Sequence, residues 1–374
     1  MNSEYFSFEY TSIMKIAILG TRGIPNYHGG FEQFAEFFAV YLANKGEDVY
    51  VYNSSLHPYK EKKFNGVKLI QCKDPEDKMG TAGQFLYDLN CILDARKRNF
   101  DIILQLGYTS STIWWWLMPK GAKIITNMDG LEWKRSKYSK KVQHFLKYAE
   151  KLGAIHSDHL IADSLGIQTY LKNKYNKDST YIAYGADAFI NPNNSILDKY
   201  KIQKNNYSLL IARFEPENNL EMILDGVTSS NKHEIFLVIG KHETPYGEFL
   251  KEKYKSFSNI IFTGGIYNFE ELNNIRYYSR LYFHGHSVGG TNPSLLEAMA
   301  SNCLICANNN EFNKGVLKEN AFYFSNKNEV KQLYDTLVKE NELEKIKKNT
   351  ASIENEFSWS IINQKYYNLL KEVI

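Results

Sequence analysis

A chain of 374 residues, 43% hydrophobic and 23% charged, is globular in composition and long enough for two domains rather than one. Its formal net charge of +3 and its four scattered cysteines, Cys72, Cys91, Cys303 and Cys306, argue against a nucleic-acid binder driven by bulk charge and against a disulfide-framed fold. No stretch reaches the ~18 consecutive apolar residues of a membrane span, and the opening "MNSEYFSFEYTSI" lacks the charged start and apolar centre of a secretory signal. Residues 1–13 therefore read as an extension, and a cytoplasmic protein is expected.

Met14 opens a buried strand, "MKIAILG", and further strands are expected near 48–52, 67–71, 101–106, 122–127, 159–163 and 180–184. Short apolar runs alternating with helical patterns mark βα units and parallel sheets. After the first strand comes "GTRGIPNYHGGFEQF". The glycine spacing is not that of the dinucleotide fingerprint, which argues against a nicotinamide site. Gly29 and Gly30 precede a helix with Phe31, Phe34, Ala35, Phe38, Tyr41 and Leu42 on one face, ending at Gly46. Free N–H groups at such a helix start suit phosphate oxygens; a plain βα loop with a glycine turn is the alternative.

"STIWWWLMP" (111–119) holds three adjacent tryptophans that cannot share one helix face, so at least one is expected to be partly exposed. The strand near 122–127 runs into "NMDGLEWKRSKYSKK". Asp129 lies beyond a strand's carboxyl end, where ligands gather in such folds. Asp129, Glu132 and Arg135 are candidates to point into a cleft, with Trp133 as a flat surface for a sugar ring; a turn cap is the other use of Asp129. Lys134, Arg135, Lys137, Lys140 and Lys141 make a basic run before a helix. Such a run is either a solvated face or a contact for anionic headgroups or an acceptor pyrophosphate.

The polar stretch 187–206 reads as a linker, and a second series follows: strands near 207–212, 235–239, 259–263, 280–284, 303–306 and 321–324, helices at 218–228, 245–256, 269–278, 293–301 and 328–338. The final "FSWSIINQKYYNLLKEVI" reads as one or two helices. Cys303-Leu-Ile-Cys306 lacks a second ligand pair and is read as apolar packing. In "HSVGGTNPSLLEAMASN" (286–302), Pro293 fits a first helical position capped by Asn292 or Thr291, while Gly289 and Gly290 expose backbone N–H groups to a diphosphate. Glu297, in the second turn, leans back toward the cap and can accept from two vicinal hydroxyls. Arg213, closing the strand in "LLIARFEPENN", offers the cation.

Together "GTRGIPNYHGGFE", "NMDGLEWKRSKY", "RFEPENN" and "HGHSVGGTNPSLLEAMA" resemble retaining glycosyltransferases of family 4, and within it a subgroup of bacterial polysaccharide enzymes that includes rhamnosyltransferases of capsule and cell-wall glycan assembly. The resemblance implies the GT-B fold: two Rossmann-like, doubly wound α/β domains facing across a cleft, here 14–190 and 191–357, with 358–374 returning to the first domain. It implies a nucleotide-sugar donor held by Gly29, Gly30, Arg213, Asn218, Gly264, Gly265, Gly289, Gly290, Thr291, Asn292 and Glu297. Asp129, Arg213 and Glu297 would be catalytic, and Arg22, Glu32, Glu132, Trp133 and Arg135 would face a saccharide or polyprenyl-diphosphate-linked acceptor. Front-face transfer without cofactor or metal is expected, at the inner face of the membrane if peripheral contact occurs; nucleic acid is not an expected partner. The pattern departs from the wider family at Gly289 and Asn218, where a glutamate and a lysine usually stand, and at Met128-Asp129, where His-Asp is frequent. A sugar-nucleotide epimerase and a non-catalytic binding subunit are the rival readings.

Overall fold

The computed structural model describes residues 12–27, 29–135 and 137–374, so the expected extension lies, as far as residue 11, outside the described residues. Among the described residues fourteen strands form two sheets. The first comprises β1 (Lys15–Leu19), β2 (Asp48–Ser54), β3 (Lys63–Phe64), β4 (Val67–Cys72), β5 (Ile102–Leu106), β6 (Lys123–Asn127), β7 (His159–Ala162) and β8 (Thr180–Tyr181). Their order is β3-β4-β2-β1-β5-β6-β7-β8; β4, β2, β1 and β5 pair in parallel, and β3 is antiparallel to β4. The second comprises β9 (Tyr207–Ile211), β10 (Ile235–Ile239), β11 (Ile260–Gly264), β12 (Tyr282–His284), β13 (Ile305–Asn308) and β14 (Phe322–Phe324). It is parallel throughout, ordered β11-β10-β9-β12-β13-β14.

The chain divides into two compact units. One holds the described residues up to Thr126 with His156–His159 and Tyr367–Ile374; the other holds Asn127–Ile155 and Leu160–Tyr366. Each has its own core, as parallel sheets covered on both faces require. In the first, Ala17, Leu19, Tyr52, Ile92, Phe100 and Ile103 pack together. In the second, Leu210, Leu224, Phe236, Val238, Phe283 and Cys306 do so. Cys303 and Cys306 are buried and free, in keeping with the apolar reading of that pair.

Helix starts in the second half follow local chemistry. Asn268, Asn292, Asn310 and Asn326 each accept a first-turn N–H, and Thr244 does the same ahead of Pro245. The helix expected from 218 begins at Leu220 instead. Pro216–Asn218 form a separate 3-10 turn and Asn219 takes φ +52°, which breaks the pattern in between. The polar sequences at Glu311–Leu317 and Leu343–Ser352 also form helices. The expected linker contains a 3-10 helix, Asn194–Tyr200, anchored by buried Leu197. The final segment is one helix, Trp359–Val373.

The three tryptophans lie on a kinked 3-10 stretch, Thr112–Leu117. Trp114 donates to the Phe85 carbonyl at 3.0 Å, whereas Trp115 and Trp116 are 39% and 54% exposed. No helix among the described residues is long and apolar enough to cross a membrane.

Candidate active site

The loop between β12 and the helix Pro293–Ala300 is built by cap and glycine chemistry. The Asn292 side chain accepts from the Ser294 N–H at 2.9 Å, and Pro293 takes the first helical position. Gly289 has φ +128°, and a Cβ there would meet nothing within 4 Å, so its backbone is open on that side. At Gly290 a Cβ would stand 1.8 Å from Asp163 Oδ1. Thr291 is buried, and its hydroxyl donates to the Asp163 carbonyl. A Cβ on Gly130 would stand 2.8 Å from the Gly289 Cα. Gly130, Asp163, Gly289 and Gly290 thus pack tightly together, all within the second unit.

Charges converge on this loop. Arg213 follows β9 and is exposed; its guanidinium makes no hydrogen bond or ion pair among the described residues. Asn218 is buried, and its amide donates to the Arg213 carbonyl at 2.8 Å, holding the turn that carries the arginine. Glu132 pairs with Arg135 at 2.6 Å, and Arg135 lies 3.9 Å from Glu217. Asp129 adopts φ +46°, its N–H donating to the Asn127 side chain at 2.9 Å. Burial and then the Glu132 charge push its carboxyl up to about 6, against the pull of Arg135 and Arg213. Burial and the Asp129 charge hold Asp163 well above the carboxylate range, and its Oδ1 is buried without a hydrogen-bond partner. His286 is held well below its usual range by burial, His284, Arg213 and Arg135, so its imidazole is neutral. A free guanidinium, open backbone, two carboxyls of raised pKa and a neutral imidazole together suit an anion and the control of protons beside it.

Glu297 is oriented from beneath. Its Oε2 accepts from Arg276, which is 1% exposed and also donates to Asn273 and Ser294. Its Oε1 makes no hydrogen bond among the described residues. A carboxylate fixed by one oxygen with the other unused can accept from ligand hydroxyls.

The other expected residues have surroundings of their own. Gly264, at φ +78°, ends β11, and the nearest atom to a Cβ there would be His242 Cε1 at 3.8 Å; a Cβ on Gly265 would run into the Tyr267 ring. Trp133 donates its indole N–H to Glu150 at 2.9 Å, and the Lys147 ammonium covers its ring at 4.0 Å. In the first unit, Gly29 in extended backbone precedes the helix Gly30–Asn44. There Arg22 makes a bidentate pair with Glu76 at 2.7 and 3.1 Å, and its backbone N–H donates to Glu32 at 2.9 Å.

Asp163, Arg276 and His286 were not singled out by the sequence reading. Asp163 had a usable signal, since it follows the apolar strand β7 at its carboxyl end, as Asp129 follows β6. Arg276 had none: it belongs to an ordinary-looking helix, Phe269–Tyr277. Among the described residues no group of three or more His, Cys, Asp or Glu side chains is arranged to hold a metal ion.

Comparison with known proteins places two family models on the chain. Residues 13–187 match a domain of unknown function, DUF1972, and residues 193–354 match the glycosyl transferases group 1 family. No curated protein matches. Among solved structures, a sucrose-phosphate synthase from Thermosynechococcus elongatus superposes with a TM-score of 0.78 at 14% identity, covering 96% of this chain and 99% of that one. The Anabaena protein HepE in complex with UDP-glucose gives 0.74 at 14% identity, covering 96% and 100%. WaaG, a glycosyltransferase involved in lipopolysaccharide biosynthesis, gives 0.69 at 14% identity, covering 94% and 98%. These likenesses show the GT-B fold.

Proposed function

We propose, from the match of residues 193–354 to the glycosyl transferases group 1 family, that the protein transfers a sugar from a nucleoside diphosphate to an acceptor hydroxyl, with retention and without a metal. The reading rests on one observation above the rest. Within one unit, the open Gly289 backbone and a Glu297 with a spare oxygen belong to one helix and the loop before it, and the unpaired Arg213 acts on His286 and Asp129 beside that loop. Arg213 and the loop amides are assigned to the diphosphate, and Glu297 Oε1 to the ribose hydroxyls. Gly29 and Gly30 present the corresponding helix start of the first unit.

As the bond between the anomeric carbon and the diphosphate oxygen breaks, negative charge grows on the leaving oxygen and Arg213 stabilises it. The acceptor oxygen bonds to the anomeric carbon on the same face, and its proton passes to the departing diphosphate. Asp129, ionised above about pH 6, opposes the positive charge developing on the sugar ring. Glu132 and Arg135 form the neighbouring acceptor side.

The favoured donor is dTDP-L-rhamnose and the favoured acceptor a lipid-linked or free saccharide of bacterial surface polysaccharide, made at the cytoplasmic face of the membrane. Gly289, in place of a glutamate, removes one polar sugar contact, which suits a 6-deoxy sugar. A UDP-sugar is the second reading, favoured by the HepE complex with UDP-glucose. Thermal shift with dTDP, UDP and GDP tests the donor class. A ligand at ~100 times its dissociation constant stabilises by about 2.7 kcal/mol; no shift with any of the three would overturn the nucleotide assignment, and the largest shift selects the base.

A further inference from the structure

The carboxyl of Asp163 lies against the Gly289 loop. A Cβ built on Gly290 would stand 1.8 Å from Asp163 Oδ1, 2.0 Å from Oδ2 and 2.1 Å from Cγ, so the carboxyl occupies the place a side chain would take. The next residue is gripped as well, since the Thr291 hydroxyl donates to the Asp163 carbonyl. Asp163 thus meets two consecutive positions of the loop, one through its side chain and one through its main chain.

This support is itself fixed. Asp163 is held between β7 and the helix Leu165–Tyr175, whose first turn is capped by Ser164 accepting the Ile167 N–H at 3.3 Å. Tyr366, 1% exposed on the last helix, and Tyr181 of β8 interact electrostatically with its carboxyl. Tyr366 also accepts from Asn127 at 2.9 Å, and Asn127 in turn accepts the Asp129 N–H at 2.9 Å. The chain leaving β6 and the chain leaving β7 therefore meet around Tyr366, within the second unit.

An acid is a costly choice for such a place. Asp163 Oδ1 is buried without a hydrogen-bond partner, a penalty that an apolar side chain of similar size would avoid. Burial and the Asp129 charge keep the proton on, against the pull of the Thr291 N–H and the Ser164 hydroxyl. A neutral carboxyl is flat and small, so the Gly290 backbone can approach it closely, and it sets no charge against an anion held by the same loop. Ionised, it would oppose that anion.

We infer that Asp163 is a positioning residue of the diphosphate site, the support on which Gly290 and Thr291 rest and which aims the loop amides at the anion. The inference rests on the transferase reading for the identity of the anion, and on the packing for everything else.

Full-length protein is titrated calorimetrically with UDP, dTDP and GDP, well below the melting temperature of each variant. Asp163→Asn keeps the shape and the neutrality, and is expected to bind the preferred nucleotide within about threefold of wild type. Asp163→Ala leaves the loop unsupported and should weaken it by at least about tenfold. Gly290→Ala should weaken it as much, because the three atoms nearest the new methyl all belong to Asp163. Combined with Asp163→Ala, Gly290→Ala should bind at least about fivefold more tightly than it does alone, the methyl now filling the space the carboxyl left. Asp163→Ser stands in for Asp163→Ala if the alanine variant does not fold. Undiminished binding by Asp163→Ala overturns the role and leaves the transferase reading standing. Equal losses in Asp163→Asn and Asp163→Ala, or a double variant no better than Gly290→Ala, overturn it too. A wild type with no affinity for any of the three nucleotides would sink the diphosphate reading, and this inference with it.

Discussion

The end of β12 in the second unit and the end of β1 in the first both present glycines before a helix, beside an arginine and a glutamate. Their charges are disposed in opposite ways. Around the first, Arg22 is clasped by Glu76 at 2.7 Å, and Glu32 accepts the Arg22 N–H. Around the second, Arg213 has no partner among the described residues, and Glu297 uses only one oxygen internally. Charges already neutralised within the fold brace a loop; charges left open are available to a ligand. Two loops that look alike in sequence are therefore expected to fail differently when mutated, one in stability and the other in ligand use.

The largest effect expected is at Arg213. Arg213→Ala should lower kcat/KM for the donor by about 100- to 1,000-fold, the cost of removing one group that stabilises a leaving anion. The melting temperature should stay where it is, since the side chain is exposed and makes no hydrogen bond or ion pair among the described residues. A large fall in melting temperature would erase the contrast with Arg22.

Glu297 comes next and mixes the two behaviours. Glu297→Ala should weaken nucleoside diphosphate binding by about tenfold or more. It should also destabilise the fold by about 3 kcal/mol, because Arg276 is 1% exposed and would be left charged without its carboxylate. Glu297→Gln, which keeps an acceptor oxygen, should recover part of the stability and less of the binding. Equal recovery of both would assign Glu297 to the fold alone.

Asp129 gives a smaller effect with a defined sign. If its carboxylate serves the transfer, kcat/KM falls as pH drops through about 6, and Asp129→Asn removes that limb at a cost of about tenfold at neutral pH. Stability moves the other way. The folded-state pKa lies above the ordinary 3.8, so the folded state holds the proton more firmly; the stabilisation is complete below about pH 4 and lost as pH rises through about 6. Asp129→Asn should therefore melt higher than wild type at pH 8 and no higher at pH 4. A wild-type profile that stays level through pH 6 would remove the role given to the carboxylate.

Which of these features could be read in the sequence follows from how far apart their partners lie. Asn292, Pro293 and Gly289 act through neighbours one or two positions away, so the cap and the open loop were legible as letters. The alternating apolar runs marked thirteen strands; β3, two residues long, carried no such run. Asp163 bracing Gly290 and Arg276 holding Glu297 are tertiary pairings, with nothing local to announce them. Trp133 shows the same limit from the other side: a flat ring in a basic run suggests a sugar platform, yet its N–H is taken by Glu150 and its face by Lys147. Sequence pattern located the strand ends, and packing decided which side chains remain available there.

The smallest expected effect tests the first half of the contrast. The Arg22–Glu76 pair is bidentate but its side chains are 35% and 27% exposed, so solvent screens much of the attraction. Arg22→Ala should cost about 1 kcal/mol of stability, read as a modest drop in melting temperature that shrinks in high salt. Glu76→Gln should cost a similar amount, and the double variant little more than either alone, because both changes remove one interaction. Nucleoside diphosphate binding at the Arg213 loop should be unaltered in all three. If Arg22→Ala instead leaves stability untouched and abolishes transfer while the nucleotide still binds, Arg22 acts on the acceptor, and its pairing with Glu76 is the resting partner that an acceptor displaces.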